Sequence, residues 1–324
     1  MILIFGMVGC DGFYPNRAVP DWIAIPPGFP EFTVPEDNPF TREKVALGKT
    51  LFFDTNLSKD RTVSCASCHL PELAFSDSKP VSVGSHSKLG FRNAPTLTNV
   101  AYLDKFFHDG GIPTLERQVM APFNDSLEFN LPLKEALARI ASQEHYVASF
   151  QKVFGSKPTL FGLTRAIAAY ERTLISGNSK YDQEFYQNQK VFTHAEMRGY
   201  KLFISDSLNC VKCHSGFNFT NQSFQNNGMQ INYADSGRAR ITMQAVDRGK
   251  FKVPTLRNVA LTAPYMHDGS YATLDAVIAQ YAKGGSGHVN QSSLIQGFLL
   301  SKNDKEALKA FLNSLTDTTF IGHH

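Results

Sequence analysis

Two pentapeptides decide how this chain folds: CASCH at residues 65–69 and CVKCH at residues 210–214. Both follow the pattern Cys-x-x-Cys-His, and no further cysteine pair is present that would complete a zinc site. Two thiols one helical turn apart can add to the two vinyl groups of a haem, while the adjacent imidazole binds the iron. The sequence therefore predicts two covalently attached haem c groups, one held by Cys65, Cys68 and His69 and one by Cys210, Cys213 and His214.

The fifth cysteine, Cys10, follows a short apolar stretch at residues 1–9. This stretch resembles the lipobox of a bacterial lipoprotein signal, although it is short and lacks a basic start. We expect Cys10 to be a lipidated residue; the alternative is an ordinary apolar N-terminus. Because haem c is attached outside the cytoplasm, we also expect a periplasmic protein, and no apolar run is long enough for a transmembrane helix.

Composition narrows the class of protein. The chain has 324 residues, of which 42% are hydrophobic, so it can bury a sizeable core. Its formal net charge is only +3, and its lysines and arginines form no dense run. The sequence therefore argues against nucleic acid as a partner.

The sequences around the two pentapeptides repeat one another. Three motifs occur once in each copy: GxxLF at 48–52 and 199–203, PTLxNVA at 95–101 and 254–260, and HDGxxxTL at 108–115 and 267–274. The proline of the second motif precedes the histidine of the third by 13 residues in both copies. The chain is therefore read as a tandem duplication of one haem-binding unit.

Apolar residues recur at helical spacing in six segments: 41–54, 133–154, 159–175, 193–204, 274–283 and 304–315. Thr193 and Glu196 predict a capping box at the start of the fourth segment. Short helices around each pentapeptide predict a mainly α fold with two tandem cytochrome-c-like domains, each holding one haem. We expect an N-terminal extension (1–38), a first haem domain (39–176), a second (177–318) and a tail (319–324); residues 80–90 and 222–249 are predicted to be long, functional loops.

The register of the repeat suggests that the two haems differ. Tyr281 lies 14 residues after His267, and Pro122 lies 14 residues after His108. A tyrosine phenolate can bind iron, whereas proline cannot. Six residues after Pro122 is Glu128, whose carboxylate could move a proton between the oxygens of a bound peroxide. Spacing alone favours the alternative that Glu128 is a solvated loop residue.

The chain resembles the bacterial di-haem cytochrome c peroxidase/MauG family over nearly its whole length. The resemblance lies in the two pentapeptides, in RNAPT at 92–96, in VPTLRN at 253–258, and in HDG at 108–110, where the family usually has Trp-Asp-Gly. It implies that the N-terminal haem is peroxidatic, that the C-terminal haem transfers electrons, and that a calcium ion lies between the domains.

The resemblance also implies roles for single residues. Gln118, Pro122 and Glu128 match the distal glutamine, proline and catalytic glutamate of the family. Asn93 and the backbone carbonyls of Thr262 and Pro264 match its calcium ligands, and such hard oxygen donors suit Ca²⁺.

Three positions depart from typical peroxidases. The second haem usually has a methionine ligand, whereas the register gives Tyr281, as in MauG-like members; the alternatives are Met266 and Met243. The histidine that closes the first haem in many peroxidases matches Ser85, with His86 one residue later, so His86 is either a redox-gated ligand or an exposed loop residue.

The third departure is His108, which replaces the tryptophan that usually lies between the haems; the only tryptophan is Trp22. We expect His108 and its repeat partner His267 to donate hydrogen bonds to haem propionates.

These observations predict a peroxidase that reduces hydrogen peroxide at the first haem, with electrons from a small periplasmic cytochrome c or cupredoxin passing through the second. One alternative is a MauG-like enzyme that oxidises Trp or Tyr side chains of a protein substrate. Another is a non-catalytic electron carrier. Homodimers are common in the family and are a further expectation.

Overall fold

The computed structural model of the chain describes residues 19–322. The helices in this range are α1 (Arg42–Phe52), α2 (Leu115–Gln118), α3 (Ala121–Asn124), α4 (Leu133–Ala141), α5 (Glu144–Phe154), α6 (Leu160–Glu171), α7 (Lys180–Phe185), α8 (His194–Phe203), α9 (Cys210–Cys213), α10 (Ala239–Thr242), α11 (Leu274–Ala282), α12 (Lys302–Asn313) and α13 (Thr318–Gly322). The strands β1 (Phe224–Gln225) and β2 (Phe251–Lys252) pair antiparallel. The predicted mainly α fold is confirmed.

All six segments with helical spacing form helices, but the segment 133–154 forms two. The hydroxyl of Ser142 donates to the carbonyl oxygen of Arg139 (2.8 Å), and Gln143 is extended, so α4 and α5 are separated there. The predicted capping box is present: the hydroxyl of Thr193 accepts from the N–H of Glu196, whose carboxylate accepts from the N–H of Thr193.

Each copy of the repeat is built on a close crossing of two helices. Helix α1 crosses α6 at Gly48, where a Cβ atom would lie 1.9 Å from the carbonyl oxygen of Ala166. Helix α8 crosses α12 at Gly199, where a Cβ atom would lie 1.9 Å from the carbonyl oxygen of Ala307. The glycine of each GxxLF motif thus lets two helix backbones touch, and the repeat is visible in three dimensions.

The buried apolar side chains form separate clusters. One contains Phe52, Phe75 and Phe150 and is drawn mainly from residues 47–174. A second is drawn from residues 203–315 and is centred on Phe311. Each pentapeptide therefore has its own core beside it.

Segments from both ends of the described chain tie the two halves together. The ring of Phe29 lies 4.7 Å from that of Phe217 and 5.9 Å from that of Tyr102. Phe320 of α13 packs into the first cluster, 5.8 Å from Phe75. The boundaries at residues 39, 177 and 319 stay a prediction. No helix among residues 19–322 has both the length and the apolar character needed to cross a lipid bilayer.

Candidate functional site

The first pentapeptide lies on a tight turn. Cys65–Ser67 forms a 3-10 turn whose start is capped by reciprocal bonds between Ser64 and Ser67. Nδ1 of His69 lies 2.9 Å from the carbonyl oxygen of Phe75, and burial lowers the pKa of the imidazole. The bond to the main chain orients the ring and leaves Nε2 of a neutral imidazole as a free ligand atom.

The second pentapeptide has the same geometry. Its cysteines open and close α9, and Nδ1 of His214 lies 3.1 Å from the carbonyl oxygen of Phe219. Burial lowers the pKa of His214 to about 4. The two histidines are therefore held in the same way, each by the carbonyl of a residue five or six positions later.

The residues at both sites fit a covalently bound haem. Cys65, Cys68, Cys210 and Cys213 form no disulfide within residues 19–322, and burial raises the pKa of Cys68 to about 11 and that of Cys210 to about 12. No group of three His, Cys, Asp or Glu side chains in residues 19–322 could hold a metal ion. Two buried thiols one turn apart beside a neutral imidazole suit two thioether bonds and one axial iron bond.

Pro122 ends the helical path in the first half of the repeat. Helix α2 stops at Gln118, and α3 begins at Ala121 with Pro122 in its first turn. Proline has no N–H to donate to the carbonyl of Gln118, four residues earlier, so a continuous helix would lose that bond. Gln118 lies half-buried at the end of α2, and the amide of its side chain makes no hydrogen bond within residues 19–322.

Glu128 lies on a turn that Asp125 holds in shape. The side chain of Asp125 accepts from the N–H of Leu127 (2.8 Å), and its carbonyl accepts from the N–H of Asn130 (2.9 Å). The N–H of Ser85 donates to the carbonyl of Glu128 (2.8 Å), which joins the turn to a second loop. The backbone of Glu128 is therefore fixed on both sides.

The carboxyl group of Glu128 is half-buried and makes no hydrogen bond with any residue the structure describes. Burial, with a contribution from Asp125, raises its pKa to about 7. The charge of Glu128 is also one of the smaller causes, after burial, of the raised pKa values of Cys65 and Cys68. The structure thus places an unpaired carboxyl group with a pKa near neutrality close to the first pentapeptide. This environment differs from that of a solvated loop residue, the alternative that the spacing left open.

His86 lies on the loop that Ser85 fastens to the Glu128 turn. Its N–H donates to the carboxylate of Asp60 (2.6 Å), and its Nδ1 lies 3.7 Å from the same carboxylate. The imidazole is 54% exposed. Ser85, in contrast, is fully buried, and its hydroxyl donates to the carbonyl of Phe129 (3.0 Å). The gating role of His86 stays a prediction.

Tyr281 lies near the end of α11, which runs unbroken where the first half has Pro122. Burial raises the pKa of its phenol to about 12, against an opposing hydrogen bond from Asn227. The charges of Cys210 and Cys213 are smaller causes of the same rise. The structure therefore brings Tyr281 to the second pentapeptide.

The two methionines that are alternative ligands of the second haem lie in different environments. Sδ of Met266 accepts from the amide of Asn227 at 3.4 Å, so this thioether is next to the phenol of Tyr281. Met243 is 88% exposed at a surface turn, a position unsuited to binding a buried iron. The sequence did not single out Asn227; its only signal was membership of the long loop 222–249.

The two histidines of the HDG motifs have different neighbours. Nε2 of His108 lies 2.9 Å from the carbonyl oxygen of Asn93, and burial lowers its pKa to about 4. The ring of His267 stacks on Phe251, with centroids 3.8 Å apart. One nitrogen of His108 is thus taken by the main chain, and the predicted bonds to haem propionates stay a prediction.

The predicted calcium ligands lie where the two halves meet. The N–H of Asn93 donates to the carbonyl of His267 (2.8 Å), and its side-chain amide donates to the carbonyls of Lys79 (3.0 Å) and Pro80 (3.3 Å). Within residues 19–322, no hydrogen bond reaches Oδ1 of Asn93 or the carbonyl oxygens of Thr262 and Pro264. Three oxygens without donors are available for a hard cation.

The structure adds an ion-pair network between the halves that the sequence did not predict. Arg92 binds Asp109 (2.7 Å) and Asp235 (2.6 Å), and Asp109 is also 3.2 Å from Arg240. Asp109 is fully buried. Arg92 belongs to the RNAPT motif of the family resemblance, and Asp109 belongs to the recurring HDG motif; that membership was the signal available.

A second unpredicted pair lies within the C-terminal half. Arg257 binds Asp182 through both nitrogens of its fork, at 2.8 and 2.9 Å, and both side chains are fully buried. The N-terminal half has a comparable pair of Arg172 and Glu116 at 2.6 and 3.0 Å. Cys10 lies outside the described residues.

Comparisons with known proteins agree with this geometry. The sequence model of a family described as di-haem cytochrome c peroxidase matches residues 42–190. The chain is 35% identical to the methylamine utilization protein MauG of Methylorubrum extorquens, over 87% of this chain and 80% of that protein. It is also 35% identical to the cytochrome c551 peroxidase of Nitrosomonas europaea, over 86% of this chain and 81% of that protein.

A solved structure has a similar fold. The crystal structure of a MauG-like protein associated with microbial copper homeostasis superposes with a TM-score of 0.85 at 34% identity. The match covers 94% of this chain and 96% of that one.

Proposed function

Because the chain belongs to the di-haem cytochrome c peroxidase family, we propose that it reduces hydrogen peroxide at the haem bound by His69 and receives electrons through the haem bound by His214. The family, the peroxidase class and the two haem c groups predicted from the sequence are confirmed. The division of labour between the haems rests on one observation, the unpaired carboxyl of Glu128 beside the first pentapeptide and the phenol of Tyr281 beside the second.

The haem at the first site supplies the redox-active iron at which the O–O bond of hydrogen peroxide is reduced. Two electrons and two protons then give two molecules of water. The carboxylate of Glu128 accepts the proton of one peroxide oxygen and returns it to the other, the leaving oxygen. A pKa of about 7 suits both halves of this transfer. The amide of Gln118 would orient the peroxide, and Pro122, which cannot bind iron, would supply no ligand at the position where the second half has Tyr281.

At the second site, His214 and Tyr281 are the side chains that would hold the haem iron. A phenolate stabilises the oxidised iron and lowers its reduction potential. The electron donor is a small cytochrome c or cupredoxin, and Asn93 with the carbonyls of Thr262 and Pro264 holds a calcium ion between the halves. We place the protein in the periplasm, with a lipid anchor at Cys10 and a homodimer as further proposals.

The test is the Glu128→Gln variant, because the amide keeps the shape of the side chain and loses its basicity. We expect peroxide turnover to fall about 10²- to 10⁴-fold. Haem content and the spectra of both haems should stay unchanged. The matched control is Glu144→Gln, on an exposed position of α5, which should keep full activity. Unchanged turnover in the Glu128 variant would remove this residue from the mechanism.

Tyr281 favours a second candidate function, in which the protein oxidises Trp or Tyr side chains of a partner protein. The low potential expected with a phenolate ligand suits a haem that stores oxidising equivalents better than one that accepts electrons from a cytochrome. Peroxide consumption that depends on reduced cytochrome supports the peroxidase. A third candidate, the electron carrier, requires ferric spectra without a high-spin signal and without response to peroxide.

A further inference from the structure

Residues 82–90 form a small hairpin, called here the 82–90 hairpin. Its two ends are joined by a hydrogen bond from the N–H of Gly90 to the carbonyl of Ser82 (2.9 Å). The hydroxyl of Ser82 donates to the carboxylate of Asp77 (2.7 Å). Because Asp77 follows the first pentapeptide closely in the chain, the base of the hairpin is fixed to that part of the first half.

One side of the hairpin touches the turn that carries Glu128, backbone against backbone. A Cβ atom at Gly84 would lie 2.1 Å from the carbonyl oxygen of Leu127 and 2.6 Å from that of Glu128, so only glycine allows this approach. The N–H of Ser85 donates to the carbonyl of Glu128 (2.8 Å), and its hydroxyl donates to the carbonyl of Phe129 (3.0 Å). Ser85 is thus bonded to two consecutive carbonyls of the turn.

The contact made by Ser85 is closed to water. Ser85 is 0% exposed, so solvent could replace a lost donor there only after the hairpin had moved away. The carbonyl of Phe129 also accepts from the N–H of Lys59 (2.9 Å), which lies in the segment before the first pentapeptide. Three segments of the first half therefore meet at one carbonyl oxygen.

The tip of the hairpin has an anchor of its own. The N–H of His86 donates to the carboxylate of Asp60 (2.6 Å), which also accepts from the N–H (3.2 Å) and the hydroxyl (2.7 Å) of Thr62. His86 and Ser87 both have a φ of 57°, in the left-handed region. Residues other than glycine keep such a conformation where the surrounding contacts enforce it. The bonds to Asp60 supply that enforcement.

These contacts oppose any movement of His86 towards an iron bound by His69. Ser85 and His86 are neighbours in the chain, so the tip could not move inwards without releasing the two carbonyls that Ser85 binds. The bond between His86 and Asp60 would be lost in the same movement. The hairpin is therefore built as a fixed support of the turn that carries Glu128.

We propose that Ser85 is a positioning residue, which anchors the 82–90 hairpin to the turn at residues 125–130 and so holds Glu128 in place for the reaction with peroxide. The inference rests on the proposed function, in which Glu128 moves the proton of the peroxide. It adds a statement about regulation. With the hairpin anchored, the first haem accepts peroxide in the fully oxidised protein, and His86 stays an exposed loop residue, the second of the two alternatives that the sequence left open.

The experiment is a stopped-flow measurement of the reaction between hydrogen peroxide and the purified, fully oxidised holoprotein. We compare Ser85→Ala, which removes one donor, with Gly84→Ala, whose new Cβ forces the hairpin away from the turn. In both we expect the rate constant to fall about 10- to 100-fold, because a displaced carboxyl no longer meets the proton of the peroxide. Haem content and the spectrum of the second haem should stay those of the wild type.

Ser87→Ala is the matched control. It makes the same chemical change at an exposed position of the same hairpin, and we expect it to keep the wild-type rate constant. Wild-type rate constants in both Ser85→Ala and Gly84→Ala would overturn the inference.

A double variant separates positioning from a purely structural role. If Ser85 acts through Glu128, adding Ser85→Ala to Glu128→Gln leaves the rate constant of the Glu128→Gln variant unchanged. A further loss in the double variant, as large as that in Ser85→Ala alone, would show that Ser85 acts independently of Glu128 and would overturn the inference.

The wild-type protein gives a test that needs no variant. We expect its ferric first haem to show a high-spin signal and to react with peroxide at the same rate before and after one-electron reduction. A low-spin first haem that becomes high-spin and reactive only after reduction would reveal a released ligand. That result would contradict the anchored hairpin.

The proposed function is judged by a different variant. Unchanged turnover in Glu128→Gln removes Glu128 from the mechanism, and the role of Ser85 falls with it. A strong loss in Glu128→Gln, together with full activity in Ser85→Ala and Gly84→Ala, overturns the inference alone.

Discussion

The two halves of this protein share one scaffold and differ in the side chains that they bring to the two pentapeptides. Both cross two helices at a glycine, and both fix the iron-binding histidine on a main-chain carbonyl. Both also cap the helix after HDG with a threonine, Thr114 in the first half and Thr273 in the second. The halves diverge in the turns that follow. There, Pro122 interrupts the first helix, whereas the second runs on to Tyr281.

In the proposed function, this small change in sequence separates an open iron from a closed one. A proline at one position removes a backbone donor, and the chain then turns back through Asp125 to present Glu128. A tyrosine at the equivalent position keeps the helix and, in the same proposal, supplies a ligand. Four measurements can break or sharpen this comparison.

The largest effect is expected from the buried ion pairs. Asp182→Asn leaves the guanidinium of Arg257 buried without its charged partner, and we expect a loss of about 3–5 kcal/mol in the free energy of unfolding. Glu116→Gln should cost less, because the side chains of Arg172 and Glu116 are each 8% exposed, whereas those of Arg257 and Asp182 are fully buried. Denaturant unfolding of the two variants measures both losses in the free energy of unfolding. Equal losses would contradict the predicted difference between the halves.

Replacing the glycine at either helix crossing should reduce the stability of the protein by the same amount. In Gly48→Ala and in Gly199→Ala, the new Cβ meets a carbonyl oxygen at the same distance of 1.9 Å, so the helices must move apart. We expect each variant to lose about 1–3 kcal/mol of stability. Thermal unfolding checks this, and a gap between the two variants larger than their errors would break the structural equivalence.

The pH dependence of peroxide turnover should arise from the first half alone. Glu128 must be ionised to accept a proton, and it is protonated below its pKa of about 7. We therefore expect kcat/KM for peroxide to fall about tenfold for each pH unit below that value. Tyr281, bound to iron as a phenolate in the proposed function, would add no titration near neutrality. A rate that is flat between pH 5 and 8, roughly the span in which such a group titrates, would refute Glu128 as the base.

The smallest effect concerns the helix caps. Thr114 accepts from the N–H of Arg117 at 3.3 Å, and Thr273 accepts from the N–H of Ala276 at 3.2 Å. We expect Thr114→Ala and Thr273→Ala to cost about 1 kcal/mol each. Calorimetric unfolding of the pair measures the two losses side by side. A loss of stability in only one of the two variants would show that the halves do not depend equally on their helix caps, although the cap geometry is the same.

Much of this molecule could be predicted from local sequence. The two pentapeptides fix haem attachment because their spacing is a covalent requirement, and the periodic apolar residues correctly predict α1, α6, α8, α11 and α12. The break between α4 and α5 was missed, since it depends on a bond between Ser142 and its own helix. The register of the repeat predicted that Glu128 and Tyr281 belong to different pentapeptides, and the roles of both residues stay predictions.

The sequence could not predict contacts between segments that are distant in the chain. Asp235 lies in a long loop, and nothing near it indicates that Arg92 is its partner. Such polar partners carry no periodicity, so only the folded chain reveals them.

The place of Phe320 has a consequence for how the protein is made. This ring completes the core around the first pentapeptide, next to Phe75, although the entire second half separates them in the chain. During synthesis and export, the segment that forms the first half emerges early but lacks one side of its interior until the last helix follows. The site at His69 therefore reaches its final packing only after the second pentapeptide has been delivered as well.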